Sequence, residues 1–273
     1  MVCNLTTTYK IVILYVVFFL FCSCFNYKKH IDEHSDRDWS SIYVINSFDF
    51  FKTDDGQSIP YKDSLNIVYY HDVVLLIFPY SLVTYTMNTP GDKSTGEQKL
   101  TSHKIKQKYL IYNVKSKSGK WYDSINAVKP VVVRVDSILR QKALKGFPFF
   151  NSTNDTLISS LYSRPGNVFQ EKHTYKVKKD DSYCDSIFYY FNNDLKTIPF
   201  SYSKDLDSLR NSKVFKIKMI YNPIPKGKYA FPVPERQFNF QFQKVDIPNK
   251  NEIYLFIKDF ERSYKSESKR KNE

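Results

Sequence analysis

The segment QFNFQFQ, residues 237–243, places Phe238, Phe240 and Phe242 on one side of an extended chain and amides on the other. A helix repeats its apolar stripe every three to four residues, so this period of two describes a strand buried on one face. Residues Val214 to Tyr221 repeat the pattern, with Phe215, Ile217, Met219 and Tyr221 alternating against Lys216 and Lys218. The composition points the same way. Tyr and Phe number 22 each, and such residues favour half-buried pleated surfaces. Only seven glycines occur, and neither GxGxxG nor GxxxxGK[ST] is found, which argues against a phosphate-cradling loop.

Further strands follow from the same reasoning. Ser41 to Phe51 sets Ile42, Val44, Phe48 and Phe50 on one face, and TDDGQ, residues 53–57, supplies a turn. Leu65 to Tyr70 and Val73 to Phe78 are dense in β-branched and aromatic residues and flank His71-Asp72. Pro79 is expected to break the second run before Leu82 to Met87. Residues 88–101 read as a polar loop, and SKSG, residues 116–119, joins Lys108–Lys115 to Lys120–Ile125 as a hairpin. Val131 to Val135 leads into a helix capped by Asp136, lasting to Lys145 and stopped by Gly146. A second short helix is predicted over Asn154–Tyr162, where Leu157, Ile158, Leu161 and Tyr162 fall at helical spacing.

Lys172 to Lys179 and Tyr183 to Phe191 are read as strands joined by DDS. The proline-rich NPIPKGKYAFPVP, residues 222–234, cannot be a central strand. Ile253, Phe256, Ile257 and Phe260 follow the i, i+3, i+4, i+7 rule of an amphipathic helix, and SESKRKNE, residues 266–273, reads as a frayed tail.

Candidates for chemistry are few. His30 and His34 are four apart, but Ile31 stands where a zincin-like motif needs Glu, so they read as part of a solvated tether. His71 beside Asp72 is an adjacent base and acid without a nucleophile elbow, and the pair reads as a turn. Asp180, Asp181 and Asp185 would serve glycoside hydrolysis only if two were correctly separated in space; they read first as a hairpin turn. No Cys or His cluster has zinc-site spacing, and neither a metal nor a cofactor is expected.

The amino terminus has its own logic. Ile11 to Phe21, IVILYVVFFLF, is eleven apolar residues long with Lys10 ahead of it. That is the length of a signal-peptide core, short of the roughly 20 residues a spanning helix needs. It ends in Leu20-Phe21-Cys22-Ser23-Cys24, which resembles the lipobox of bacterial lipoproteins. The resemblance covers about the first 25 residues. It implies cleavage after Ser23, a diacylglycerol on Cys24 and residence in the cell envelope, anchored by lipid on the exported side. An ordinary secretory signal without lipid is the rival. With Cys3 and Cys22 removed and Cys24 acylated, Cys184 has no partner, and the exported domain holds together without disulfides.

The expected organisation is a signal peptide over 1–23, a lipidated tether over 24–40 and one globular domain over 41–273. Its expected fold is α+β, mostly antiparallel β-sheet with a few short helices and a carboxy-terminal amphipathic helix. Lys and Arg total 41 against 28 acidic residues; loss of residues 1–23, whose only charge is Lys10, leaves +12. Such a surface attracts anionic lipid or an anionic envelope polymer. Nucleic acid is not expected as a partner, since no zinc-finger or RNP-like motif accompanies the charge. The functional expectation is a binding or structural component of the envelope without enzymatic activity. The alternatives are an envelope hydrolase acting on glycans or peptides and a secreted protein without an anchor.

Overall fold

Strands β1 (Trp39–Phe51), β2 (Ser58–Tyr70), β3 (Val73–Met87), β4 (Gln98–Asn113), β5 (Ser118–Tyr122) and β6 (Val131–Arg134) run back and forth as one meander. A second consists of β7 (Asp155–Ser163), β8 (Val168–Tyr175), β9 (Ser186–Asn192), β10 (Lys213–Tyr221) and β11 (Arg236–Lys244). The two join where β1 pairs with β11, making a single eleven-stranded sheet with β6 and β7 at its edges. Each described register is antiparallel. Among the described residues three α-helices accompany it: α1 (Val135–Gln141), α2 (Lys204–Arg210) and α3 (Lys250–Arg270). This computed structural model describes residues 39–270 except 53, 88–97, 143, 145–154, 164–166, 179, 181–182 and 228.

Register assigns each side chain to a face. Ile67, Leu76, Leu110 and Trp121 stand side by side on one face, while Val68, Leu75, Ile111 and Lys120 do so on the other. The central strands are therefore buried on both sides, which explains the unbroken apolar run VVLLIF of β3. The first face carries the main core, continued across the second meander by Phe240, Ile217 and Tyr189. It is covered by Ile198, Phe200, Tyr202 and Leu206 from the connection between β9 and β10. The Tyr202 hydroxyl donates to Oδ1 of the buried Asn46.

The opposite face is closed by α3. Its Ile253, Ile257 and Phe260 are buried, Tyr254 meets Tyr70 edge-on, and Phe256 packs against Tyr109 and Tyr122. The amphipathic spacing thus marked the right surface, and the helix continues to Arg270 through part of the expected frayed tail. Residues 271–273 lie outside the described residues.

Several local expectations are corrected. Residues 155–163 form strand β7 and not a helix, although Leu157, Ile158, Leu161 and Tyr162 have helical spacing. A bulge between Leu157 and Ser159 resets the period, and pairing with β8 along the whole strand outweighs the marginal gain of a short helix. These four side chains stay exposed, so burial had no part in the choice.

Pro79 does not break β3, which pairs with β4 from Val73 to Met87. The register with β2 ends at Asn66↔Ile77, so at Pro79 no ladder on that side requires an N–H. The expected loop over 88–101 yields to β4 from Gln98. Helix α1 starts at Val135 and ends at Gln141, so Asp136 lies in its first turn and is not its cap. Gly146 lies outside the described residues. Strand β8 begins at Val168 and stops at Tyr175, ahead of the expected Lys179.

Helix α2 had no counterpart in the sequence reading. Ser203 caps it, its Oγ accepting from the Leu206 N–H at 3.3 Å, and Asn211 ends it in the left-handed conformation with φ 46°.

Replacing the fully buried Ile257 by Ala tests whether α3 docking closes the second face. A loss of about 2–5 kcal/mol in unfolding free energy by denaturant titration is expected. A loss below about 1 kcal/mol would mean that the helix adds little to the core.

Candidate functional site

Two polar constellations emerge, one buried and one open. The buried one lies on β8, where Glu171 and His173, two apart on a strand, share a face. His173 Nε2 is 3.0 Å from Glu171 Oε2, and Arg210 Nε of α2 is 2.7 Å from Glu171 Oε1. The His173 ring meets Tyr189 edge-on. Burial pushes the Glu171 carboxyl up, but the hydrogen bonds and charges of His173 and Arg210 outweigh it, holding it below its ordinary value. Both carboxylate oxygens are engaged, so the group braces α2 against the sheet. The signal in the sequence is QEKHTY, residues 170–175, which puts acid and base at strand spacing but carries no mark of the Arg210 that completes the set.

A lowered carboxyl contributes stability above its unfolded value, and that stability is lost as the pH falls through the folded one. Glu171→Gln is therefore expected to cost about 3 kcal/mol at pH 7. The gap to the parent should shrink as the pH drops below the ordinary carboxyl value of 4.5. Thermal melts of both proteins from pH 7 to pH 3 check this, and a gap independent of pH would refute the ion-pair account.

The open constellation sits where β10 ends and the proline-rich segment begins. A cleft of about 260 Å³ is lined by Lys178, Asp180, Tyr183, Asp185, Tyr221 and Arg236, with Asn222 at the start of the proline-rich segment. Lys178 Nζ forms an ion pair with Asp185 Oδ1, and the Asn222 N–H donates to Asp185 Oδ2 at 2.7 Å. Burial raises the Asp185 carboxyl, yet Lys178, Asn222 and Arg236 together hold it below its ordinary value. Burial pushes the Tyr221 phenol up to about 12, which keeps it protonated. The Arg236 guanidinium lies over the rings of Tyr221 and Phe51, 4.8 and 5.2 Å from their centroids. Its Nε is buried without a hydrogen-bond partner among the described residues, a state that costs about 1–3 kcal/mol.

A larger, more open groove of about 660 Å³ shares Pro223 and Ile224 with this cleft. Its other walls are Pro225, Pro232, Val233, Pro234 and the turn Asp55–Gln57. Paired hydrogen bonds of 2.9 Å between Ile224 and Val233 hold the two arms of the proline-rich segment together. The turn depends on Gly56, at φ +74°, where a Cβ would stand 2.5 Å from the Phe231 ring. Gly56→Ala should destabilise the fold by more than about 1 kcal/mol and disturb the groove, through left-handed strain and the clash. Denaturant titration checks the first effect; an unchanged midpoint would contradict it.

Of the expected site residues, Cys24, His30, His34 and Asp181 lie outside the described residues. His71, at φ 48°, is the exposed turn between β2 and β3, and Asp72 pairs with Lys115. They form no site with the carboxylates of the cleft, where Asp180 and Asp185 do come together. Cys184 is free and buried, and burial pushes its thiol up to about 12. Among the described residues no group of three or more His, Cys, Asp or Glu could hold a metal ion. Arg236, the least committed charge in the cleft, had no signal beyond its place between the prolines and β11. No protein-family model and no curated protein matches this chain.

Proposed function

We propose that the chain is an exported cell-envelope lipoprotein, acylated on Cys24, whose folded part binds a ligand and does not turn it over. The observation behind binding is that both oxygens of Asp185 are engaged, one by Lys178 and the other by the Asn222 N–H, which leaves neither oxygen free to carry a proton to a substrate. Asp185 is kept ionised by Lys178 and Asn222, whereas a glycosidase acid needs a raised carboxyl, and Tyr221 is kept protonated. A carboxylate committed in this way suits a structural or recognition role better than proton transfer, so a binding component is favoured over a hydrolase. The anchor rests on the apolar run 11–21 followed by Cys22-Ser23-Cys24, with residues 24–40 as tether. We class the fold as α+β on the strength of α3, whose apolar face completes the structure on one side of the sheet. The excess of cations favours anionic lipid or an anionic envelope polymer as a neighbour.

Cys24→Ser is expected to release the protein from the membrane fraction and abolish labelling by a fatty-acid analogue, while Cys22→Ser keeps both. Persistent labelling of Cys24→Ser would sink the lipoprotein reading. Release of the parent protein, unlabelled, into the medium would favour a secreted protein without an anchor.

A further inference from the structure

We infer that Arg236 anchors a carboxylate: the cleft takes a small organic acid whose carboxylate meets the guanidinium edge and whose apolar body lies along the proline-walled groove. This deepens the binding half of the proposed function and is independent of the lipid anchor.

The cleft holds two cations, and only one is committed. Lys178 is paired with Asp185, and both Asp185 oxygens are taken, by Lys178 and by the Asn222 N–H. Arg236 makes no ion pair among the described residues; its contacts are the rings of Phe51 and Tyr221 and the field of Asp185. Ring contacts are not hydrogen bonds, so they leave the in-plane N–H donors of the guanidinium to be satisfied by an acceptor. A fork of donors packed against two aromatic rings matches a carboxylate, whose two oxygens accept in parallel.

The walls narrow the class further. Asp180 and Asp185 line the same space, so like-charge repulsion acts about twice as strongly on a phosphate dianion as on a carboxylate monoanion and favours the latter. The larger groove begins at the shared Pro223 and Ile224 and is mainly apolar, walled by Pro225, Pro232 and Val233. A ligand with its acid at Arg236 and an aromatic or prolyl body fills both spaces.

The test is calorimetric titration of the full chain in detergent micelles at pH 7, using N-acetyl-L-phenylalanine, its uncharged amide and inorganic phosphate. Saturable binding of the acid is expected, with the amide and phosphate each weaker by about tenfold or more. Arg236→Lys, which keeps the charge and loses the planar fork, should weaken the acid by a similar factor without affecting the amide. Because Arg236 packs on two rings, loss of that packing can itself unfold the variant. Modification of the parent protein by phenylglyoxal covers that case: the acid should slow reaction at Arg236, and the amide should not. Equal binding of acid and amide, tighter binding of phosphate, or unslowed modification would overturn the carboxylate site and leave the cleft as a binding site. No saturable binding of any probe up to about 10 mM would overturn the binding reading along with it.

Discussion

The pairing of β1 with β11 is the seam on which this structure depends. It joins the first strand of one meander to the last strand of the other, with Val44 opposite Phe242 and Phe48 opposite Phe238. Without it each meander would carry an open edge and half of a core. Phe48 meets Phe238 and Phe240 edge-on at 5.3 Å, and Asn46 is buried beside Phe240. Strands so far apart in sequence must pay a large loop-closure entropy before these contacts form. The aromatic density of the seam offsets that cost, since each favourable ring pair adds about 0.5–1.5 kcal/mol beyond burial.

The cleft is a by-product of how the seam ends. At the last register position of β10 and β11, Tyr221 stands opposite Arg236, which brings the guanidinium over the phenol ring. The chain then makes its proline-rich excursion between these two residues, and the prolines keep it from extending the ladder. Asp49 of β1 fastens the return by accepting from the Gln237 N–H at 3.0 Å. Position, orientation and apolar wall therefore come from the same few residues. A cation on a strand end beside a stiff loop is held more precisely than one on a mobile loop.

Charge is used in two ways. Inside, ions are paired: Glu171 with Arg210 and His173, and Lys213 with Asp207, which also accepts from the Val214 N–H. Both sets fasten α2 and the start of β10 to the sheet, and each would be costly to break singly. Outside, the excess of Lys and Arg sets the long-range field of the protein without specifying its fold.

The strands of strict alternation were legible because a half-buried sheet imposes a period of two on any sequence that forms it; QFNFQFQ and the run from Val214 show this. The amphipathic face of α3 was legible for the matching reason, that a single-sided helix repeats every 3.6 residues. Residues 155–163 were misread because their apolar pairs fit a helix, and only a bulged ladder with β8, a partner outside the window, made them a strand. Pro79 was misread because its cost depends on whether a neighbour needs its N–H, and that neighbour is set by where β2 ends. Helix α2 is too short to show a period. The amino-terminal lipobox-like motif is proposed from local sequence alone, since a targeting signal would act as unfolded sequence. The cleft was not readable, since Lys178, Asp185 and Arg236 are brought together by the pairing of strands distant in sequence, which no local window contains.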